Sequence, residues 1–314
     1  MRIITATSNE MKKNAKIVGS ATGGFAFKGG YDKVNWKLVR LMCNFGYTFM
    51  PKEKDVRFSK IDLGGISGII ATPKKMESED LILYIHGGGL VSGSAKATKG
   101  YCSMLAKHSG CRVISIDYRL CPENPYPAGI DDCETAYLAL RKTFPNSKVC
   151  VTGESAGGFL TLTLTVRLLS KGEQLPECLL PQSPLCDLTG ELDRSYYTIR
   201  DNTVTPEGLD PLFDMYAPGV DRKDPEISVS YCDRLGEFPP TLMSCDSNET
   251  LRADAEDLEK KMRTAGACCD LIMLENSFHA CSTLGTGSPE TLELMQEDIS
   301  FMKACFRGER PSVG

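Results

Sequence analysis

The segment VCVTGESAGG at 149–158, running on into FLTLTLTVRLL, constrains this chain more than any other stretch. An apolar run that ends in Gly153-Glu154-Ser155-Ala156-Gly157 and passes at once into a longer apolar run reads as buried strand, tight turn and buried helix. Small residues two positions either side of Ser155 let the strand and helix backbones pass closely. A serine on such a turn projects from the sheet edge at a helix N-terminus, where the dipole favours developing negative charge. The bland alternative is a serine that merely caps a helix in an ordinary α/β protein. Around this unit, short apolar runs alternate with helical patterns, the signature of βαβ units and a parallel sheet. Strands are expected at 55–62, 65–71, 81–85, 112–116, 148–152, 178–181, 240–245 and 270–274. Leu251, Ala255, Leu258, Met262 and Ala265 recur at helical spacing, as do Leu292, Met295, Ile299, Met302 and Phe306 after the start signal Ser288-Pro289-Glu290. Both stripes read as core packing.

Two regions break the alternation. Residues 1–50 are weakly patterned, with glycine pairs at 23–24 and 29–30 and one helical run near 33–45, and residues 187–235 form a long, polar, proline-punctuated stretch between two strands. A connection of that length inside a compact domain usually carries structure of its own. The formal net charge of −5 argues against a nucleic-acid or anionic-membrane partner, which would need clustered Lys and Arg. The longest apolar stretches, such as LILYI at 81–85, are far too short to span a membrane, so no stable membrane insertion is expected. After Arg2 come Thr, Ser, Asn and Glu rather than an apolar run, so no secretory leader is expected and the expected location is cytoplasmic. The fourteen cysteines are scattered without a C-x-x-C pair and read as small buried hydrophobes in a reducing compartment. With only three histidines, none in a metal-ligand spacing, no metal site is expected.

A second motif lies at 81–94, LILYIHGGGLVSGS, where a strand ends in His86-Gly87-Gly88-Gly89. Three consecutive glycines are entropically costly, and close approach of backbone N–H groups to a ligand oxygen would justify them. Together with the N–H of Ala156 they would form an oxyanion hole. The pattern is neither a P-loop nor a dinucleotide fingerprint, so no nucleotide cofactor is expected. A nucleophilic serine needs an imidazole base. His279, in LENSFHACST after the last expected strand, is the only histidine that follows Ser155; His108 reads as a helix C-terminal residue and His86 as a pin for the glycine loop. The acid is expected in TLMSCDSNETLRADAE, with Glu249 favoured by its position directly before the helix, Asp246 as the alternative, and Asp254 already inside that helix.

These motifs, with DYRLCPENPYPAGIDDC at 117–133, SPLCDLTG at 183–190, PPTLMSCDSNETLRADAEDLEKKMRTAG at 239–266 and FHAC at 278–281, resemble the hormone-sensitive-lipase-like (HGGG) group of α/β-hydrolase esterases over residues 55–310. The resemblance implies an α/β-hydrolase fold with an eight-stranded, mostly parallel sheet, helices on both faces, and a helical cap drawn from residues 1–50 and the 187–235 insertion on a catalytic domain spanning 51–314. It implies a cofactor-free carboxylic ester hydrolase acting on small-molecule esters of short to medium acyl chains, with a homodimer as the expected assembly. Residue by residue, Ser155 matches the nucleophile, His279 the base, and Gly87, Gly88 and Ala156 the oxyanion donors. Glu249 aligns with the family's usual Asp; Glu154 stands where Asp or Thr is commoner, and Leu90 where an aromatic residue is common. Asp187 matches a recurrent aspartate read as structural. The same machinery would serve a lactonase, an amidase or a peptidase, and a non-catalytic receptor on this fold would lack the Ser or the His.

Overall fold

A computed structural model describes residues 1–22, 34–48, 50–195, 203–284 and 287–311. Nine strands form one sheet: β1 (Arg2–Thr5), β2 (Val56–Leu63), β3 (Ile66–Pro73), β4 (Leu81–Ile85), β5 (Arg112–Ile116), β6 (Val149–Glu154), β7 (Cys178–Gln182), β8 (Thr241–Asp246) and β9 (Cys269–Glu275). Their spatial order is β1-β9-β8-β7-β6-β4-β5-β3-β2. All pairings are parallel except β2 with β3 and β3 with β5. The helices are α1 (Asn9–Thr22), α2 (Trp36–Thr48), α3 (Lys99–Ser109), α4 (Ala128–Thr143), α5 (Ala156–Lys171), α6 (Pro206–Tyr216), α7 (Arg252–Thr264), α8 (Cys281–Leu284) and α9 (Pro289–Phe306). The long insertion thus carries α6, while the glycine pairs at 23–24 and 29–30 lie outside the described residues.

The central strands β4, β6 and β7 are buried along their whole length, which explains why they read as unbroken apolar runs rather than as an alternation. Period two survives in what each side chain touches. Leu81, Leu83 and Ile85 join the core that holds Ile130 of α4, Phe159 of α5 and Leu258 of α7. Ile82 and Tyr84 join the core that holds Leu105 of α3 and Met302 of α9. Helix α5 sits under the middle of the sheet, so its threonines must satisfy their hydroxyls internally. Thr161 donates to the Gly157 carbonyl at 2.9 Å, Thr163 to Phe159 at 3.1 Å and Thr165 to Thr161 at 3.1 Å. Among the described residues no helix is long and apolar enough to cross a membrane.

The sheet has nine strands where eight were expected, because Arg2–Thr5 pairs in parallel with Ile272, Met273, Leu274 and Glu275 of β9. Only Ile4 of this short strand is buried, while Ile3 on the other face is half exposed, so it leaves no alternation to read. It is held largely from outside itself. The Glu290 carboxylate at the start of α9 accepts the Thr7 N–H at 2.9 Å, the Ser8 N–H at 2.8 Å and the Ser8 hydroxyl at 2.7 Å. Burial alone would raise this carboxyl, but the hydrogen bonds from Ser8 and Thr7 bring it down to about 2. A depressed carboxylate stabilises the fold above its unfolded pKa and loses that contribution as pH falls toward its folded one. Glu290→Ala therefore destabilises the protein by about 2 kcal/mol at neutral pH by stranding two N–H groups. Denaturant unfolding of the variant measures this, and an unchanged midpoint would refute the anchoring role.

Candidate active site

Ser155 is the single residue between β6 and α5, and its backbone stands at φ 53°, ψ −119°. That combination lies outside the ordinary left-handed region and costs on the order of 1–3 kcal/mol for a residue with a Cβ. The surroundings hold it there. The Ser155 N–H donates to Gln182 O of β7 at 2.8 Å, and its carbonyl accepts the Phe159 N–H at 2.9 Å. A Cβ on Gly153 would lie 2.5 Å from Ile85 O, and one on Gly157 would lie 2.0 Å from that same oxygen. Both glycines are required by the packing of β4 against the turn.

The glycine loop follows β4 directly. Tyr118 donates its hydroxyl to His86 O at 2.7 Å, and its ring stacks on the His86 imidazole with centroids 4.3 Å apart. His86 Nδ1 faces Gly87 O at 2.8 Å, and burial lowers the pKa of this ring, keeping it neutral with Nδ1–H as donor. His86 is thus a structural pin. Gly88 adopts φ +112° with its carbonyl accepting the Val91 N–H at 3.2 Å and the Ser92 N–H at 3.0 Å. The Gly87 N–H is donated to Glu154 Oε1 at 2.8 Å. This departs from the expectation for Gly87: its N–H is already taken by a carboxylate and is not free for a substrate oxygen. Glu154 is buried at the end of β6 and also accepts the Tyr84 hydroxyl. Burial pushes its carboxyl up to about 7, against the opposing pull of the Tyr84 and Gly87 hydrogen bonds.

The imidazole and the acid come from the loops after β9 and β8. His279 Nδ1 lies 2.6 Å from Glu249 Oε2, with both side chains buried. Glu249 Oε1 in turn accepts the Asp246 N–H at 3.1 Å. Asp246, the alternative acid, is engaged in binding the two loops together. Its Oδ1 accepts the Asn248 N–H at 2.8 Å, and its Oδ2 accepts the Ser277 N–H at 3.0 Å and the Ser277 hydroxyl. Asp254 lies in α7 and pairs with the buried Arg194 at 2.8 Å. Asp187 caps its own turn, accepting from the Thr189 N–H at 2.7 Å.

Ser155 and His279 open onto one cavity of about 240 Å³, together with 87–89 and Glu154. Val39 and Cys43 of α2, Val204, and Leu209 and Leu212 of α6 also line it. Among the described residues that line the cavity there is no lysine or arginine. Sequence reasoning singled out Glu154 as a departure from the commoner Asp or Thr but did not anticipate its hold on the Gly87 N–H. The available signal was its place beside Ser155, where a longer acid than usual must find a partner. The lining from α2 was also missed, since Val39 and Cys43 lie one turn apart on a helix that is apolar around much of its surface.

The model of the alpha/beta hydrolase fold family matches residues 82–283. The chain belongs to this family. Within this alpha/beta hydrolase family, it is 32% identical over 258 residues to an esterase of Acinetobacter venetianus, covering 80% of this chain and 83% of that one. It is 29% identical to the versiconal hemiacetal acetate esterase of Emericella nidulans over 70% of this chain and 80% of that one. A crystal structure of a hormone-sensitive lipase from a metagenome library superposes with a TM-score of 0.84 at 31% identity, over 93% of this chain and 98% of that one. The hydrolase is thus of the hormone-sensitive-lipase-like kind that its motifs resemble.

Proposed function

We propose that the protein is a serine carboxylesterase that hydrolyses short- to medium-chain acyl esters through an acyl-enzyme. The observation that carries this reading is the 2.6 Å contact of Glu249 with His279 Nδ1, in a cavity that Ser155 also lines. A carboxylate on Nδ1–H leaves Nε2 unprotonated and able to act as base. Ser155 Oγ attacks the ester carbonyl carbon as its proton passes to His279 Nε2. The tetrahedral intermediate collapses with that proton going to the leaving alkoxide, and water then repeats the sequence on the acyl-enzyme. Glu249 stays ionised and stabilises the imidazolium.

The oxyanion donors are the N–H groups of Gly88, Gly89 and Ala156. The backbone supports this register, one residue on from the Gly87 and Gly88 of the sequence reading. The Gly87 carbonyl is held by His86 Nδ1 and the Gly88 carbonyl by the Val91 and Ser92 N–H groups. In a planar trans peptide the N–H points opposite its carbonyl, so Gly88 and Gly89 aim their N–H groups away from those anchors. Ala156 opens α5, where the first-turn N–H has no helical acceptor.

Helices α2 and α6 act as the cap over the catalytic domain, and the small, largely uncharged chamber they close favours short neutral acyl groups. All fourteen cysteines are free thiols, and twelve are buried, in keeping with a reducing cytoplasm. A p-nitrophenyl ester series from acetate to palmitate tests the reading. We expect turnover of the short esters and a steep fall beyond about eight carbons, as a chamber of this size would impose. No turnover of any member would refute an esterase, and sustained rates to palmitate would refute the chain-length assignment.

A further inference from the structure

We propose that Glu154 is a positioning residue for the oxyanion loop: its carboxylate takes the Gly87 N–H and so sets the two following N–H groups relative to Ser155. The inference rests on the esterase reading above. Glu154 is the last residue of β6 and the immediate neighbour of Ser155, so one side chain couples the strand that carries the nucleophile to the loop that would carry the donors. The His86–Gly87 peptide is pinned at both ends, its carbonyl by the Tyr118 hydroxyl at 2.7 Å and its N–H by Glu154 Oε1 at 2.8 Å. Removing the second pin frees that peptide plane to rotate, and with it the plane that presents the Gly88 N–H.

The carboxylate is itself held. Tyr84 of β4 donates to Oε2, leaving Oε1 for Gly87, and both Tyr84 and Glu154 are buried. Contact between loop and strand is also tight. A Cβ on Gly87 would lie 2.6 Å from Glu154 O and 3.0 Å from Glu154 Oε1, so a side chain at 87 could not share the space with this carboxylate. A buried carboxylate beside a developing oxyanion is electrostatically unfavourable in itself. What it supplies here is an acceptor at a defined point. An acceptor without charge would serve as well, which separates positioning from electrostatics.

Glu154→Gln and Glu154→Met make the test, because both keep the side chain's length and only glutamine keeps an acceptor for Gly87 and a group that can pair with the Tyr84 oxygen. With p-nitrophenyl acetate we expect E154M to lower kcat about 10- to 100-fold with KM within about threefold, since displaced donors cost the transition state and not the ground state. E154Q restores kcat to within about threefold of the parent. The affinity of a trifluoromethyl ketone, which forms a tetrahedral adduct with the serine, falls in E154M by the same factor as kcat. Retained kcat in E154M, or an equal fall in both variants, would overturn the proposal. If E154M shows no cooperative thermal transition, Tyr84→Phe takes its place. It removes only the hydroxyl that holds Oε2 and should lower kcat about threefold or more at unchanged KM; unchanged kcat there would overturn the proposal equally. Absence of turnover in the parent protein would instead strike at the esterase reading, so the two failures are distinguishable.

Discussion

Ser155→Ala should lower kcat on p-nitrophenyl acetate by about 10⁵- to 10⁶-fold, and His279→Ala by a similar factor, with the double variant no worse than either alone. The non-additivity is the informative part. Without the hydroxyl, the imidazole has no bound nucleophile to deprotonate; without the imidazole, the hydroxyl is a poor nucleophile at neutral pH. Either loss removes the covalent route entirely, and a second loss takes nothing further. The strained backbone at 155 gains no relief from alanine, which also carries a Cβ, so the variant should keep the geometry of the turn. Its thermal unfolding should match the parent's closely. The measurement is initial rate against the uncatalysed background at saturating ester, with site occupancy checked by a fluorophosphonate that labels the parent and not S155A. More than about 1% of parental turnover in either single variant would mean that another group attacks the carbonyl.

How far the site could be read from the chain depends on whether its parts are local. The turn at 153–157 is local, and its glycines are required by backbone contacts below 3 Å, so it shows in five letters. The eight expected strands correspond to β2 through β9 to within a few residues, because β4, β6 and β7 are buried on both faces and leave continuous apolar runs. β1 was illegible for the opposite reason. It is four residues long, buries one side chain, and depends on a carboxylate at position 290 that no local pattern links to it. The engagement of the Gly87 N–H was illegible on similar grounds. Three identical glycines carry no information about which N–H faces where; the Gly87 N–H meets Glu154, 67 residues further along the chain. His279 is singled out by elimination among three histidines, and it faces the cavity that Ser155 lines. The choice of Glu249 over Asp246 rested on proximity to the following helix, and the structure supplies the contact that proximity suggested.

Glu249→Gln should lower kcat by about ten-thousandfold while Asp246→Asn lowers it by no more than about tenfold. Glutamine at 249 can present its NH₂ to His279 Nδ1. That contact selects the tautomer with the proton on Nε2, and an imidazole in that form cannot take the proton of Ser155. The loss is therefore chemical and should leave KM and stability nearly unchanged, apart from the weaker acceptor left for the Asp246 N–H. Asp246 acts differently. Its two oxygens receive the Asn248 N–H and the Ser277 N–H and hydroxyl, so it joins the loop that bears Glu249 to the loop that bears His279. Asparagine keeps one acceptor oxygen, which can serve Ser277 without charge assistance, while its NH₂ faces the Asn248 N–H as donor to donor, costing about 1–2 kcal/mol of stability with a modest loss in positioning. The signatures thus separate on two axes, with E249Q inactive and stable and D246N active and less stable. If the pattern were reversed, with D246N inactive at full stability, the acid of the triad would have to be reassigned to Asp246, and the His279 ring would have to turn from its present partner to reach it.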